Sequence, residues 1–257
     1  MIHLLRYQFS NSRAHRSQLA SAGTTPAGIH IPHWSEGSFD TVNRLQPGEV
    51  HIWRFDLDQP TSGSLSILSS EERSRFTDIR RPEAARRYLN SRLQLRGILA
   101  SYLDEAPARL SFIVRPGGKP ELARLPVHFN LSHSHELGLL AISALHPVGI
   151  DLEKIRDMKY PSRIARRTFS TEVWQQWSAP MAGENQQLLF FRQWTALEAR
   201  QKAFGYGIFA TPVPPDDLHC RHFFAADGFV AALATPSSHD EPALRFFNSP
   251  PTAYDAA

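Results

Sequence analysis

The chain has 257 residues, 28 Lys and Arg against 25 Asp and Glu, a net charge of +3, and 42% hydrophobic side chains, enough for one large domain or two moderate ones in a globular protein. A single cysteine, Cys220, excludes an internal disulfide and a thiolate zinc cluster, so a reducing, cytoplasmic setting is expected. No apolar run approaches the roughly 20 residues of a membrane span, and the small positive charge makes no case for nucleic acid, so neither is an expected partner.

Residues 1–45 read as an N-terminal extension without periodicity, basic and Ser-rich, with no acid before Glu36; a transit peptide, a basic arm or an over-called start would all look like this. From Gly48 the pattern tightens. Val50 to Leu57 carries apolar side chains on both faces, which predicts a well-covered strand. Ser69-Ser70-Glu71-Glu72 places a serine three residues before an acid, the capping-box spacing. A longer helix is predicted from Pro82 to about Leu103, with Tyr88, Leu95, Leu99 and Tyr102 on its apolar side. Arg80, Arg81, Arg86 and Arg87 crowd its start, as a solvated face or as an anion-binding patch.

Leu110–Val114 reads as a strand, followed by the turn Arg115-Pro116-Gly117-Gly118-Lys119-Pro120. Val127–Leu131 leads into Ser132-His133-Ser134-His135, and Leu137–Ile142 forms a further strand. His133 and His135 invite a zinc reading, but the cysteines of a structural site are missing. Next comes Val148-Gly149-Ile150-Asp151-Leu152-Glu153. Strand side chains alternate, so Asp151 and Glu153 share one face while Val148, Ile150 and Leu152 share the other. Such a face is either a solvated edge or a platform for a hard cation.

A basic helical stretch, Ile164–Phe169, and a short helix from Ser170 precede a long helix in which Phe190, Phe191, Trp194 and Leu197 recur at helical spacing as the expected buried stripe. Glu198 and Lys202 stand four apart beside it, the order of an ordinary surface ion pair, and Gly205 and Gly207 end it. Prolines 212, 214 and 215 make a loop, Arg221–Phe224 and Gly228–Leu233 read as weaker strands, and residues 237–257 read as a loose tail.

Four blocks together resemble the Sfp-type 4'-phosphopantetheinyl transferases: Gly118-Lys119-Pro120, Phe129-Asn130-Leu131-Ser132-His133-Ser134, Val148–Glu153, and Trp194-Thr195-Ala196-Leu197-Glu198-Ala199-Arg200-Gln201-Lys202-Ala203 with Gly205 and Gly207. The resemblance spans roughly residues 48–236. It implies an α/β (α+β) protein of two similar halves in a pseudo-twofold arrangement, here 46–146 and 147–236, each a small sheet packed with helices, with the ligand cleft between them. It implies a monomer that transfers the 4'-phosphopantetheine arm of coenzyme A to a serine of an acyl, aryl or peptidyl carrier protein of fatty-acid, polyketide or nonribosomal-peptide synthesis. Adenosine 3',5'-bisphosphate is the expected product.

On that resemblance Asp151, Glu153 and Glu198 are the magnesium ligands and Asp151, Glu198 and Lys202 the catalytic set, with Glu198 a candidate base. Arg87, Lys119, Ser132, His133 and Lys202 are the coenzyme A contacts. Where the family usually has lysine this chain has Leu197, and Arg200 is a candidate substitute. Two readings from other classes compete: a non-catalytic module binding coenzyme A or a carrier, and a different magnesium-dependent phosphohydrolase.

Overall fold

The computed structural model describes residues 29–38, 45–60, 64–124, 126–180, 185–205, 218–237 and 240–251. In chain order the elements are β1 (Ile29–His30), β2 (Ser35–Glu36), β3 (Glu49–Asp56), α1 (Ser70–Asp78), α2 (Pro82–Leu103), β4 (Phe112–Val114), β5 (Pro120–Leu122), β6 (His128–Ser134), β7 (Leu137–Ser143), β8 (Gly149–Lys154), α3 (Pro161–Thr168), α4 (Thr171–Ser178), α5 (Gln186–Phe204), β9 (Leu218–Ala226), β10 (Phe229–Pro236) and β11 (Ala243–Asn248). The expected mixed α/β architecture is present. One sheet has the order β2-β11-β3-β7-β6, a second β1-β9-β10-β8, and β4-β5 is a separate hairpin.

Local chemistry accounts for the helices. Ser69 accepts the Glu72 amide and the Glu72 carboxylate accepts the Ser69 amide, closing the capping box of α1. Pro82 opens α2, Ser170 caps α4, and Asn185 caps α5 by accepting the Gln187 and Leu188 amides. Gly205, at φ 75°, ends α5 in the left-handed conformation that a residue with a Cβ resists. Glu72 also takes the buried Arg96 of α2 at 2.7 Å, and Arg96 reaches on to the carbonyls of Pro107 and Leu110.

Alternation decides the layers. From β3, Val50 and Ile52 point into a central core with Leu139 and Ala141 of β7, Ile150 and Leu152 of β8, and Ala231 and Leu233 of β10, so the two sheets share one interior. Trp53, Phe55 and Leu57 point the other way, against Leu95, Ile98 and Leu99 of α2. Tyr102 crosses this layer. Its hydroxyl accepts the Trp53 indole N–H at 2.8 Å and sits 2.7 Å from Nδ1 of His51, which is fully buried. Helix α5 covers the outer face of the second sheet, with Ala199 and Ala203 against Ala232 and Ala234.

Several expectations change at the edges. Of the expected extension, residues 29–30 and 35–36 are strands, and β1 pairs in parallel with β9 while β2 pairs in parallel with β11. Of the expected loose tail, β11 runs parallel to β3 inside the first sheet, and Ser249 and the Pro250 carbonyl hydrogen-bond Gln94 of α2. Each terminus therefore supplies a strand to the half built from the opposite end of the chain. On α2, Leu95 and Leu99 are fully buried but Tyr88 is half-buried between Arg75 and Arg92. On α5, Phe190 and Phe191 are buried while Trp194 and Leu197 are half-buried, because the centre of the contact falls on Thr195, Ala196, Ala199 and Ala203. Residues 1–28, Gly207 and the prolines 212, 214 and 215 lie outside the described residues.

The place where α5 meets β8 depends on Gly149. A Cβ there would stand 2.0 Å from the Ala199 carbonyl oxygen and 2.4 Å from the Ala203 nitrogen, both backbone atoms. Gly149→Ala should therefore push α5 outward and cost about 1–3 kcal/mol, read as a lowered denaturation midpoint. A second prediction concerns acid. Burial, aided by Arg192, lowers His222 from 6.5 to about 4, while its Nε2 faces the Arg192 carbonyl at 3.0 Å. Between those values the unfolded chain binds a proton that the folded chain refuses, so stability should fall as pH drops from 6.5 towards 4. The loss from this group is on the order of 3 kcal/mol, and urea titrations of His222→Gln should show a shallower slope over that window.

Candidate functional site

Close approach at Gly149 puts the acid-bearing face of β8 under α5. Asp151 is 3% exposed, far more buried than a solvated strand edge would leave it. Lys202, one turn after Glu198, forms an ion pair with Asp151 Oδ1, stands 3.2 Å from Ser132 Oγ, and lies 3.4 Å from Glu198 Oε2. Ser132 Oγ donates to the same Asp151 oxygen at 3.0 Å. Residues from β6, β8 and α5 thus converge on Asp151.

The electrostatics follow from that crowding. Burial, then the charge of Glu198, pushes the Asp151 carboxyl well above the ordinary carboxylate range, while Lys202 pulls it down. Burial works against the Lys202 ammonium, but Asp151 and Glu198 outweigh it and hold the group charged. Glu153, two residues on, accepts from Ser134 Oγ and from Arg156 Nη1, each at 3.0 Å and both on Oε2. The Arg156 guanidinium in turn lies 4.9 Å above the Phe191 ring.

Strands β6 and β8 are edge strands of different sheets and pair with each other through side chains. Asn130 Oδ1 accepts the Ile150 amide at 2.8 Å, Ser132 Oγ the Leu152 amide at 3.2 Å, and Ser134 Oγ the Lys154 amide at 3.2 Å. The constant offset of 20 residues makes the two strands parallel neighbours with polar side chains in place of a backbone ladder. The substitution gives these amides the partners that a neighbouring strand's carbonyls would otherwise supply.

A magnesium ion is the cofactor the resemblance implies. Among the described residues, no three His, Cys, Asp or Glu side chains are gathered as they stand to hold a metal. Yet Asp151 Oδ2 is buried with no hydrogen-bond partner, and the donor set around it is carboxylate oxygen, which suits a hard cation. The residues fit the ion through Asp151, with Lys202 occupying the other oxygen.

The remaining expected site residues fall in other places. Ser132 is buried but His133 is exposed, because neighbours on β6 alternate faces. Arg87 holds Asp58 through two bonds, at 2.7 and 2.6 Å, and also meets Glu83 at 2.8 Å; Arg86 joins the same Asp58 at 3.0 Å. Hydrogen bonding to Arg87 above all holds Asp58 at about 2. Lys119 is 9% exposed, and its Nζ donates to the carbonyls of Val148 and Ala203, each at 3.0 Å. Burial brings this amine down to about 8. Burial raises the Cys220 thiol on β9, and the nearby charge of Arg200 on α5 lowers it, so Arg200 lies toward β9. Ser134 and Arg156 were missed; the i+2 repeat of serines on β6 and the i+3 spacing from Glu153 are the signals that point to them.

Lys119 thus joins the start of β8 to the end of α5. Lys119→Met keeps the apolar stem but strands two carbonyls, so the melting temperature should fall by the equivalent of about 1–3 kcal/mol.

Comparison with known proteins gives a consistent answer. The family model described as the 4'-phosphopantetheinyl transferase superfamily matches residues 147–245, from just before β8 into β11. The 4'-phosphopantetheinyl transferase HetI of Nostoc sp. is 39% identical over 171 residues, 64% of this chain and 72% of that protein. A Synechocystis sp. protein, named as a candidate 4'-phosphopantetheinyl transferase, is 36% identical over 185 residues, 70% of this chain and 75% of its own length. The 4'-phosphopantetheinyl transferase of Bacillus subtilis is 29% identical over 206 residues, covering 78% of this chain and 88% of that protein. The constellation on β6, β8 and α5 therefore sits in a chain that belongs to the 4'-phosphopantetheinyl transferase superfamily.

Proposed function

We propose that this enzyme transfers the 4'-phosphopantetheine arm of coenzyme A to a serine of an apo carrier protein, in a magnesium-dependent reaction that releases adenosine 3',5'-bisphosphate. The observation that carries the reading is the buried Asp151, with one oxygen on Lys202 and the other unpartnered, beneath Glu198 in a chain of this family. Asp151, Glu153 and Glu198 would hold the ion, which when bound supplies charge neutralisation for the pyrophosphate oxygens.

The chain's own groups do the rest. Lys202, kept charged by Asp151 and Glu198, presents a fixed cation to an anionic substrate and stabilises negative charge as it moves to the leaving group. Glu198 is the proposed base for the proton of the carrier serine. The serine oxygen then forms a bond to the phosphorus next to the pantetheine arm, and the bond from that phosphorus to the bridging oxygen breaks. The electron pair leaves on adenosine 3',5'-bisphosphate. Arg87 and Arg86, already arranged as a paired cation around Asp58, are the groups offered to the nucleotide's further phosphate. His133, exposed at the end of β6, is a second contact for the phosphates. The acyl, aryl and peptidyl carriers are the acceptors to test, and among the described residues no helix is long and apolar enough to cross a membrane.

Intact-protein mass spectrometry with coenzyme A, magnesium and a panel of apo carriers should show one added phosphopantetheine on at least one carrier. Asp151→Ala should lower the rate at least about 10²-fold. No mass shift on any carrier, or coenzyme A cleaved equally fast without one, would overturn the proposal.

A further inference from the structure

We infer that Ser132 and Ser134 are positioning residues, which aim the carboxylates of Asp151 and Glu153 while fastening β8 to β6. The inference rests on the reading of those carboxylates as metal holders, but its geometry stands without it.

The same triangle occurs twice. Ser132 Oγ accepts the Leu152 amide at 3.2 Å and donates to Asp151 at 3.0 Å. Two residues on, Ser134 Oγ accepts the Lys154 amide at 3.2 Å and donates to Glu153 at 3.0 Å. In each triangle a hydroxyl holds the amide of one residue and the carboxylate of the residue before it, so strand register and side-chain direction are set by one atom. Ser132 and Ser134 are 5% and 8% exposed, so water is a poor substitute for either.

A hydroxyl has one proton and two lone pairs. Ser132 gives its proton to Asp151 and receives Leu152 and Lys202, which fills its capacity. A phosphate oxygen could reach Ser132 only by displacing one of these partners. Ser134 gives its proton to Glu153, receives Lys154, and stands 3.3 Å from His135 Nδ1. Arg156 binds the same Glu153 oxygen as Ser134, so the carboxylate is gripped at Oε2 by one donor on β6 and one in the loop after β8. Hydrogen bonds of this kind behind ligating carboxylates govern metal affinity by factors of 10 to 100.

Ser134 gives the cleaner test, because Ser132 also touches Lys202. Manganese binding to the full chain with coenzyme A present, followed by electron paramagnetic resonance, is compared for wild type, Ser134→Ala, Ser134→Thr and Asp151→Ala. Ser134→Ala should bind manganese about tenfold more weakly, with the coenzyme A KM at saturating metal unchanged; Ser134→Thr, which keeps the hydroxyl, should bind within about twofold of wild type. Unchanged manganese affinity in Ser134→Ala together with a raised coenzyme A KM would make Ser134 a phosphate contact and overturn the inference. So would tenfold weaker binding by Ser134→Thr. If wild type binds manganese no better than Asp151→Ala, the metal reading falls instead, and amide hydrogen exchange decides the positioning role. Exchange at Lys154 about tenfold faster in Ser134→Ala upholds it, and equal exchange overturns it.

Discussion

The join between β6 and β8 is the constraint on which the rest of the molecule depends. Two sheets end at these strands, and a row of three side chains, Asn130, Ser132 and Ser134, joins them there, each receiving an amide of β8. A backbone ladder would bring the strands to about 4.8 Å and close the surface between them. Interposed side chains keep the two sheets continuous in hydrogen bonding, and the hydroxyls that bridge them also grip Asp151 and Glu153. Structure and site are therefore the same set of bonds, and the central core of Ile52, Leu139, Ile150 and Leu233 lies directly behind them.

Charge balance is the second constraint. A buried carboxylate is costly unless paired, and removing one partner of such a pair leaves the other uncompensated. Asp151 meets this with Lys202 on one oxygen and leaves the other bare, with Glu198 and Glu153 adding like charge nearby. The arrangement is poised for added positive charge. It is assembled where α5 closes onto β8 over Gly149, and the buried Lys119 ties the carbonyl of Val148, just before β8, to that of Ala203 in α5. Leu197 lies half-buried one position before Glu198, so the cationic character of this end of α5 comes from Lys202, with Arg200 lying toward β9.

The termini make the two sheets inseparable. β1 completes the edge of the sheet built from the second half of the chain, and β11 lies between β2 and β3 in the sheet built from the first. Arg54 reinforces the exchange, reaching the Ala225 carbonyl in one sheet and Asn248 Oδ1 in β11, with Trp34 stacked 4.3 Å away. A cut near residue 146 would thus remove a strand from each side, although the family match begins at residue 147.

The sequence by itself determined the elements whose signals are local. Helix starts at Ser69, Pro82 and Ser170 and the stop at Gly205 are written in capping chemistry within four residues of the event. The spacing of Asp151 and Glu153, and of Glu198 and Lys202, likewise placed each pair on one face of its element. Tertiary structure alone decided which neighbours those faces met. That Lys119 turns inward, that Ser132 is buried while His133 is exposed, and that Ala243–Asn248 is a strand all depend on partners 29, 20 or nearly 200 residues away. No local period encodes contacts of that separation, because they are set by burial and by the need of each buried polar group for a partner.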